Sequence, residues 1–266
     1  MIGALGCEGR RLDLEVMMLT DNPFIPLADF LSPLFLQVYI VLMALAVIAG
    51  TAFDLYHKRS AEFFVQKRKQ SRAAATRRTS GRDMTALATK TLMHDVATFG
   101  EFCNRSRRVS HALMFYGFVL YLITTVVMVF AYPADPQTPA ILPILWNVGA
   151  LMVLLGGYWF FLFLRVNVVH DGQPRWRLVR ADLFIASLLA SVTLALVFEV
   201  VAMAQNAGWT RVFFGLYLFF TTLLFVSVPW SKFAHMFYKP VVAFQRRIEE
   251  ADGSSDLPTP ADGRNG

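Results

Sequence analysis

Charge is scarce in this sequence. Only 17% of its 266 residues are Asp, Glu, Lys or Arg, whereas a soluble globular domain carries about 25%. That leaves too little charged surface for an ordinary soluble enzyme. Cysteine is scarcer still. Cys7 and Cys103 are the two present, which excludes a disulfide scaffold and falls short of the four thiolates an iron–sulfur cluster usually takes. The first 29 residues lack the unbroken apolar core of a signal peptide, because Asp13, Glu15 and Asp21 interrupt them. No stretch alternates with the period of two that a membrane β-barrel requires. What the chain has in quantity is apolar: 56% hydrophobic residues, among them 24 phenylalanines. This composition predicts a polytopic membrane protein.

The charge-free runs place the spans. A helix needs about 20 apolar residues to cross the hydrocarbon core, and five runs reach or approach that length: 30–53, 109–134, 136–164, 183–205 (interrupted by Glu199) and 212–231. Lipid leaves backbone groups no partner outside their own helix, so the expected fold is an all-α membrane protein of five transmembrane helices. Lys and Arg set its direction. With the N-terminus outside and the C-terminus cytoplasmic, 22 of the 25 basic residues fall on the cytoplasmic side. The expected layout is a periplasmic segment 1–29, a basic cytoplasmic loop 54–108, a second cytoplasmic loop 165–182, and a cytoplasmic tail 232–266 ending in a polar ADGSSDLPTPADGRNG. Cys7 and Cys103 then lie on opposite sides and cannot pair.

The net charge of +6 follows from this bias and needs no nucleic acid to explain it. The blocks HKRS, QKRKQSR and TRRTSGR fit a solvated topology signal, contact with anionic headgroups, or a surface for an acidic soluble partner. The first half of the long loop reads as a basic helix, broken at Ser80 and Gly81. Beyond it, Leu92, Val96, Phe99 and Cys103 fall at spacings of four, three and four, one apolar face of a short helix. The proline-rich NPFIPLADFLSP reads as an interfacial lead-in to the first span.

All five histidines, His57, His94, His111, His170 and His235, fall on or near the cytoplasmic face in this topology. Taken singly, each suits a headgroup contact. His111 and His235 make a better pair. The first opens the second span in RSRRVSHALMFYGF; the other follows the fifth in VPWSKFAHMFYKP. Antiparallel threading puts both at one depth, where two neutral imidazoles can hold an iron between them. Arg105, Arg107, Arg108 and Lys232 line the adjacent edge, and guanidinium groups suit bidentate contact with carboxylates such as propionates. The same cations are also what topology alone requires.

The segments RSRRVSHALMFYGFVLYLITT and PWSKFAHMFYKP resemble the five-helix cytochrome b subunits of the respiratory nitrate reductase gamma type. That group includes membrane subunits of heterodisulfide reductases and of sulfur-metabolism complexes. The short chain, the long basic first loop and the lack of an iron–sulfur domain look most like the membrane anchor accompanying adenylylsulfate reductase. The resemblance implies a subunit of an oxidoreductase complex in the bacterial cytoplasmic membrane. Such a subunit carries electrons between a cytoplasmic iron–sulfur or flavin oxidoreductase and the quinone pool, through haem b with His111 and His235 as axial ligands, and catalyses no separate step of its own. A redox-silent anchor that only recruits the soluble enzyme is the alternative.

The chain departs from that pattern in one respect. The places of a second, deeper histidine pair, ten residues after His111 and eighteen before His235, hold Tyr121 and Tyr217. One haem at the cytoplasmic face is therefore expected, with the two tyrosines closing the outer half by hydrogen bonds. Glu199 is the one acid within a span. It reads either as a proton-carrying contact for quinone or as an interfacial carboxylate near Gln205. In the loop VNVVHDGQPRWRLVR, His170 and Trp176 are the expected cytoplasmic contacts for quinone or partner.

Overall fold

In the computed structural model, residues 20–57, 60–77, 80–93, 98, 104–165, 182–227 and 235–255 are described. They form no strand. The helices in chain order are α1 (Pro33–His57), α2 (Ser60–Ala74), α3 (Gly81–Lys90), α4 (Arg105–Ala131), α5 (Ile141–Trp159), α6 (Leu183–Met203), α7 (Ala207–Val226) and α8 (His235–Asp252). Five of them, α1, α4, α5, α6 and α7, are long and apolar enough to cross a membrane, as the charge-free runs predict.

Boundaries differ from the runs at their charged ends, for a physical reason. Helix α4 begins at Arg105 rather than 109, because Asn104 caps it: its side-chain oxygen accepts from the Ser106 amide at 2.9 Å. Helix α7 begins at Ala207 rather than 212, capped by Asn206 on the Trp209 amide at 3.3 Å. Absence of charge marks where a helix is apolar. Where its backbone starts depends on a side chain able to take the first free amides. Arg211 sits within the first turns of α7 and lies over the Phe30 ring at 5.2 Å. At its other end α7 stops at Val226, short of residue 231.

Two antiparallel hairpins make the bundle. Helices α4 and α5 pack along their length, as do α6 and α7; α5 joins the pairs through α6, and α1 leans on α7 and α4. Half of the apolar window of α6 is enclosed, against 11% for α1, so α6 is central and α1 peripheral. The first hairpin is tight because glycine removes the side chains between its backbones. A Cβ on Gly117 would meet the Gly149 carbonyl at 2.8 Å, and one on Gly149 would meet the Tyr121 amide nitrogen at 2.7 Å. A Cβ on Gly156 would meet the Ser110 carbonyl at 2.7 Å. Lipid tails are as apolar as leucine, so burial of apolar area drives helix pairing weakly here. Close backbone approach at small residues supplies the contact. In the last turn, α5 widens into a π-helical turn, Phe160–Leu164, and Arg165 pairs with Asp182 at the start of α6.

The two ends of the bundle differ. At one end, here called the cap, α8 packs on α2 and α3. Ser71 Oγ donates to Glu249 at 2.7 Å and Gln245 donates to the same oxygen at 3.1 Å. The Asp252 carbonyl accepts from the Thr76 amide and hydroxyl at 3.0 Å. Gly253, at φ +76°, ends α8 in the left-handed conformation that a Cβ disfavours. The expected break at Ser80 and Gly81 is present: Ser80 precedes α3 and its amide donates to Asp83 at 3.1 Å. Leu92, expected on the apolar face that follows, is exposed; Val96, Phe99 and Cys103 lie outside the described residues. At the opposite end, here called the plug, residues 22–31 fold over the bundle. The Asn22 side chain donates to the Tyr132 carbonyl at 3.3 Å and to Thr138 at 3.2 Å. Phe24 meets Trp146 edge to face at 6.2 Å.

Two outcomes test this packing. Gly149→Ala, with its Cβ forced onto the α4 backbone, is expected to lower the thermal midpoint in detergent, a cost of about 1–3 kcal/mol. Gly215→Ala, where a Cβ meets nothing within 4 Å, serves as the neutral control. Glu249→Ala strands the buried Ser71 hydroxyl at about 1–3 kcal/mol. Trypsin should then cut faster within Lys67–Arg72 while the spans stay intact on a gel.

Candidate functional site

The two expected histidines fall on different elements near the cap end, His111 on α4 and His235 at the start of α8. His111 lies in the second turn of α4 and is half buried. It shares a helix face with Phe118, seven residues on, which packs against the main core. Its rotation is fixed by its neighbour. Ser110, fully buried, donates through Oγ to the Gly156 carbonyl of α5 at 2.8 Å. His235 is the first residue of α8; its side chain lies outside the described residues. So do the whole of Lys232, His94, His170 and Trp176, and the side chain of His57.

The α4 arginines are partly engaged with backbone. Arg107 Nη2 donates to the Leu164 carbonyl at 2.9 Å, closing the π turn of α5. Arg108 Nε donates to the Thr98 carbonyl at 2.6 Å. Each uses one of five guanidinium N–H groups, so the rest stay available to an anion. Arg105 is exposed at the helix start. At the same end of the bundle, the Thr51 hydroxyl of α1 is buried without a hydrogen-bond partner. That is unusual for a helical threonine, which ordinarily bonds back to its own helix.

Ten residues deeper, the two tyrosines meet as the sequence leads one to expect. Tyr121 Oη donates to Tyr217 Oη at 3.2 Å, both side chains buried. Trp146 packs on the Tyr121 ring at 5.0 Å and donates through Nε1 to Thr125 at 2.9 Å. Phe198 stacks on Tyr217 at 6.5 Å. This aromatic layer joins α4, α5, α6 and α7 and separates the cap half of the bundle from the plug half.

Glu199 lies in the plug half. It stands sixteen residues along α6 from Leu183, about 24 Å at 1.5 Å per residue, and is not brought near His111. Of its two sequence readings, the interfacial carboxylate is not what the structure holds. Glu199 is 3% exposed, and its Oε1 accepts from Asn147 Nδ2 of α5 at 2.9 Å. Asn147 also donates to the Pro143 carbonyl at 3.2 Å. Sequence reasoning missed Asn147, although an amide within an otherwise apolar span, opposite a span carrying one acid, was a signal that could have found it.

Among the described residues, no three or more His, Cys, Asp or Glu side chains gather where they could hold a metal ion directly.

No family model matches the chain, and no solved structure matches it. Among curated proteins it is similar to citrate utilization protein B of Escherichia coli, 28% identical over 170 residues, which span 58% of this chain and 43% of that protein. The chain thus spans less than half the length of the curated relative it matches.

Proposed function

We propose that the chain is the membrane-anchor electron-transfer subunit of an oxidoreductase complex in the bacterial inner membrane. In this reading the cap end is cytoplasmic and the N-terminus is outside. A cytoplasmic iron–sulfur or flavin enzyme docks at the cap and exchanges electrons with the quinone pool through one haem b held by His111 and His235. The observation that carries the reading is His111, half buried at the cap end of α4, ten residues from a tyrosine pair that fills the deeper position.

The residues present fit the group. Two neutral imidazoles are a b-type donor set, and the unpartnered Thr51 hydroxyl leaves a donor for a ligand at the same end of the bundle. When bound, the haem supplies one-electron transfer between the docked enzyme and quinone. The rest falls to the chain. Asn104 fixes the first turn of α4, and Ser110 fixes its rotation against α5, so His111 is presented at one azimuth. Arg105, the remaining N–H groups of Arg107 and Arg108, and Lys232 would hold the group's carboxylates at the edge. The Tyr121–Tyr217–Trp146 layer keeps water on the plug side from reaching the imidazoles.

Two readings of the soluble partner are open to test. The sequence resemblance favours adenylylsulfate reductase. The likeness to citrate utilization protein B favours a protein that takes part in citrate utilization. Co-purification from native membranes distinguishes them.

The reading predicts a spectrum. Protein extracted from membranes should give a b-type reduced-minus-oxidised difference that disappears in His111→Ala and in His235→Ala and persists in Tyr121→Phe. A colourless wild-type preparation that still binds its soluble partner would overturn electron transfer and leave a redox-silent anchor.

A further inference from the structure

The electron path proposed above makes no use of Glu199, yet a carboxyl group within a span is costly enough to need a reason. Its surroundings narrow that reason. The side chain is 97% buried, and Asn147 supplies its hydrogen bond through Nδ2. Among the described residues no Lys, Arg or His lies within ion-pair distance of it. Helices α5 and α6 carry no other charged residue between Ile141 and Trp159 or between Leu183 and Met203. The titratable group of another element that acts on it is the Tyr121 hydroxyl of α4, bonded in turn to Tyr217 of α7. A phenol is uncharged and cannot neutralise a carboxylate.

Desolvating an unpaired carboxylate costs far more than one amide hydrogen bond returns. A buried group in that position takes up a proton instead. The Asn147 N–H donates to Oε1, a bond that either form can accept and that by itself favours the charged one; the cost of burial outweighs it, and the neutral acid would carry its proton on the other oxygen.

We propose that Glu199 and Asn147 form a proton-binding site in the plug half of the bundle, in which the Glu199 carboxyl carries the proton as the neutral acid and the Asn147 amide fixes its carbonyl oxygen. The ligand is a proton, and the site needs no cavity. It stands apart from the His111 end, so it does not depend on whether the chain binds haem.

Infrared spectroscopy of the purified full-length protein in lipid nanodiscs at neutral pH tests the assignment. Wild type should show a carboxylic-acid C=O stretching band that shifts in D2O. Glu199→Gln should lose that band with the helical amide signal unchanged. Asn147→Leu should keep the band and move it to higher frequency, because its carbonyl loses a hydrogen bond. Absence of the band in wild type overturns the proposal. So does a band that survives Glu199→Gln, which would belong to another acid such as the buried Asp54. Should Glu199→Gln fail to fold, the Asn147→Leu spectrum decides: a band at the wild-type position sinks the proposal.

Discussion

A side chain with a polar atom finds no water within the bundle, and the arrangement of the five long helices follows from that constraint. Thr51 aside, each buried hydroxyl, amide or indole N–H of the described helices meets a partner on its own helix or a neighbour. The partners chosen across helices trace the whole fold. Gln37 joins α1 to the Val129 carbonyl of α4 at 3.2 Å, and Tyr39 joins α1 to α7. Ser110 and Thr125 join α4 to α5, while Tyr121 joins α4 to α7. Asn147 joins α5 to α6, and Ser191 joins α6 to α7 through Thr221 at 2.7 Å. No long helix is left out. Such bonds average about 0.6 kcal/mol each within a membrane, so together they amount to a few kcal/mol. Their larger effect is on register, because a helix turned by one residue, 100°, would strand its polar atoms against hydrocarbon.

Packing strength comes from elsewhere. Between α4 and α5 the three glycines at 117, 149 and 156 bring backbone against backbone at distances a side chain forbids. That contact and the polar pairs act on the same rotation. Ser110 reaches the Gly156 carbonyl only because Gly156 has no Cβ between them. Tyr121 lies with its own amide nitrogen against Gly149, and from there its ring reaches Trp146 and its hydroxyl reaches α7. The site residues of α4, His111 included, therefore take their direction from residues whose chemistry is inert.

This division explains what the sequence made legible. Spans were readable because exclusion of charge is a property of a run, independent of its neighbours. The tyrosine pair was readable through the resemblance, which implies a deeper pair at the two places that Tyr121 and Tyr217 occupy. The Glu199–Asn147 bond was not readable. Whether an acid faces lipid, headgroups or protein depends on the rotation and tilt of its helix, and α6 is apolar on all sides, so no face announces itself. The cap escaped notice for a related reason. Its acids were counted as charge within a basic loop and tail. In the fold, Glu249 and Asp252 turn inward onto Ser71, Gln245 and Thr76, while Lys67, Arg72 and Arg82 face outward. The positive face of the cap is thus stronger than the composition of its segments implies.

The tyrosine layer also limits where a planar group between α4 and α7 can sit. Ten residues of helix separate His111 from Tyr121, about 15 Å of rise. Within that interval α4 turns inward Met114, with Ile185 and Leu189 of α6 against it in a small cluster of its own, apart from the main core. Phe160 and Phe161, on the π turn of α5, pack on the same cluster. A π turn inserts one extra residue and displaces the side chains after it relative to a regular helix, and here it is held open by Arg107 on the Leu164 carbonyl. The cap half is therefore the part of the bundle where helix geometry departs from regular and the core is least continuous. The plug half is tied together by rings and hydrogen bonds, with a small cavity under residues 24–31 lined by Leu27, Leu31 and Met128. The tyrosine layer and the π turn thus bound, on either side, the stretch of the bundle that carries His111.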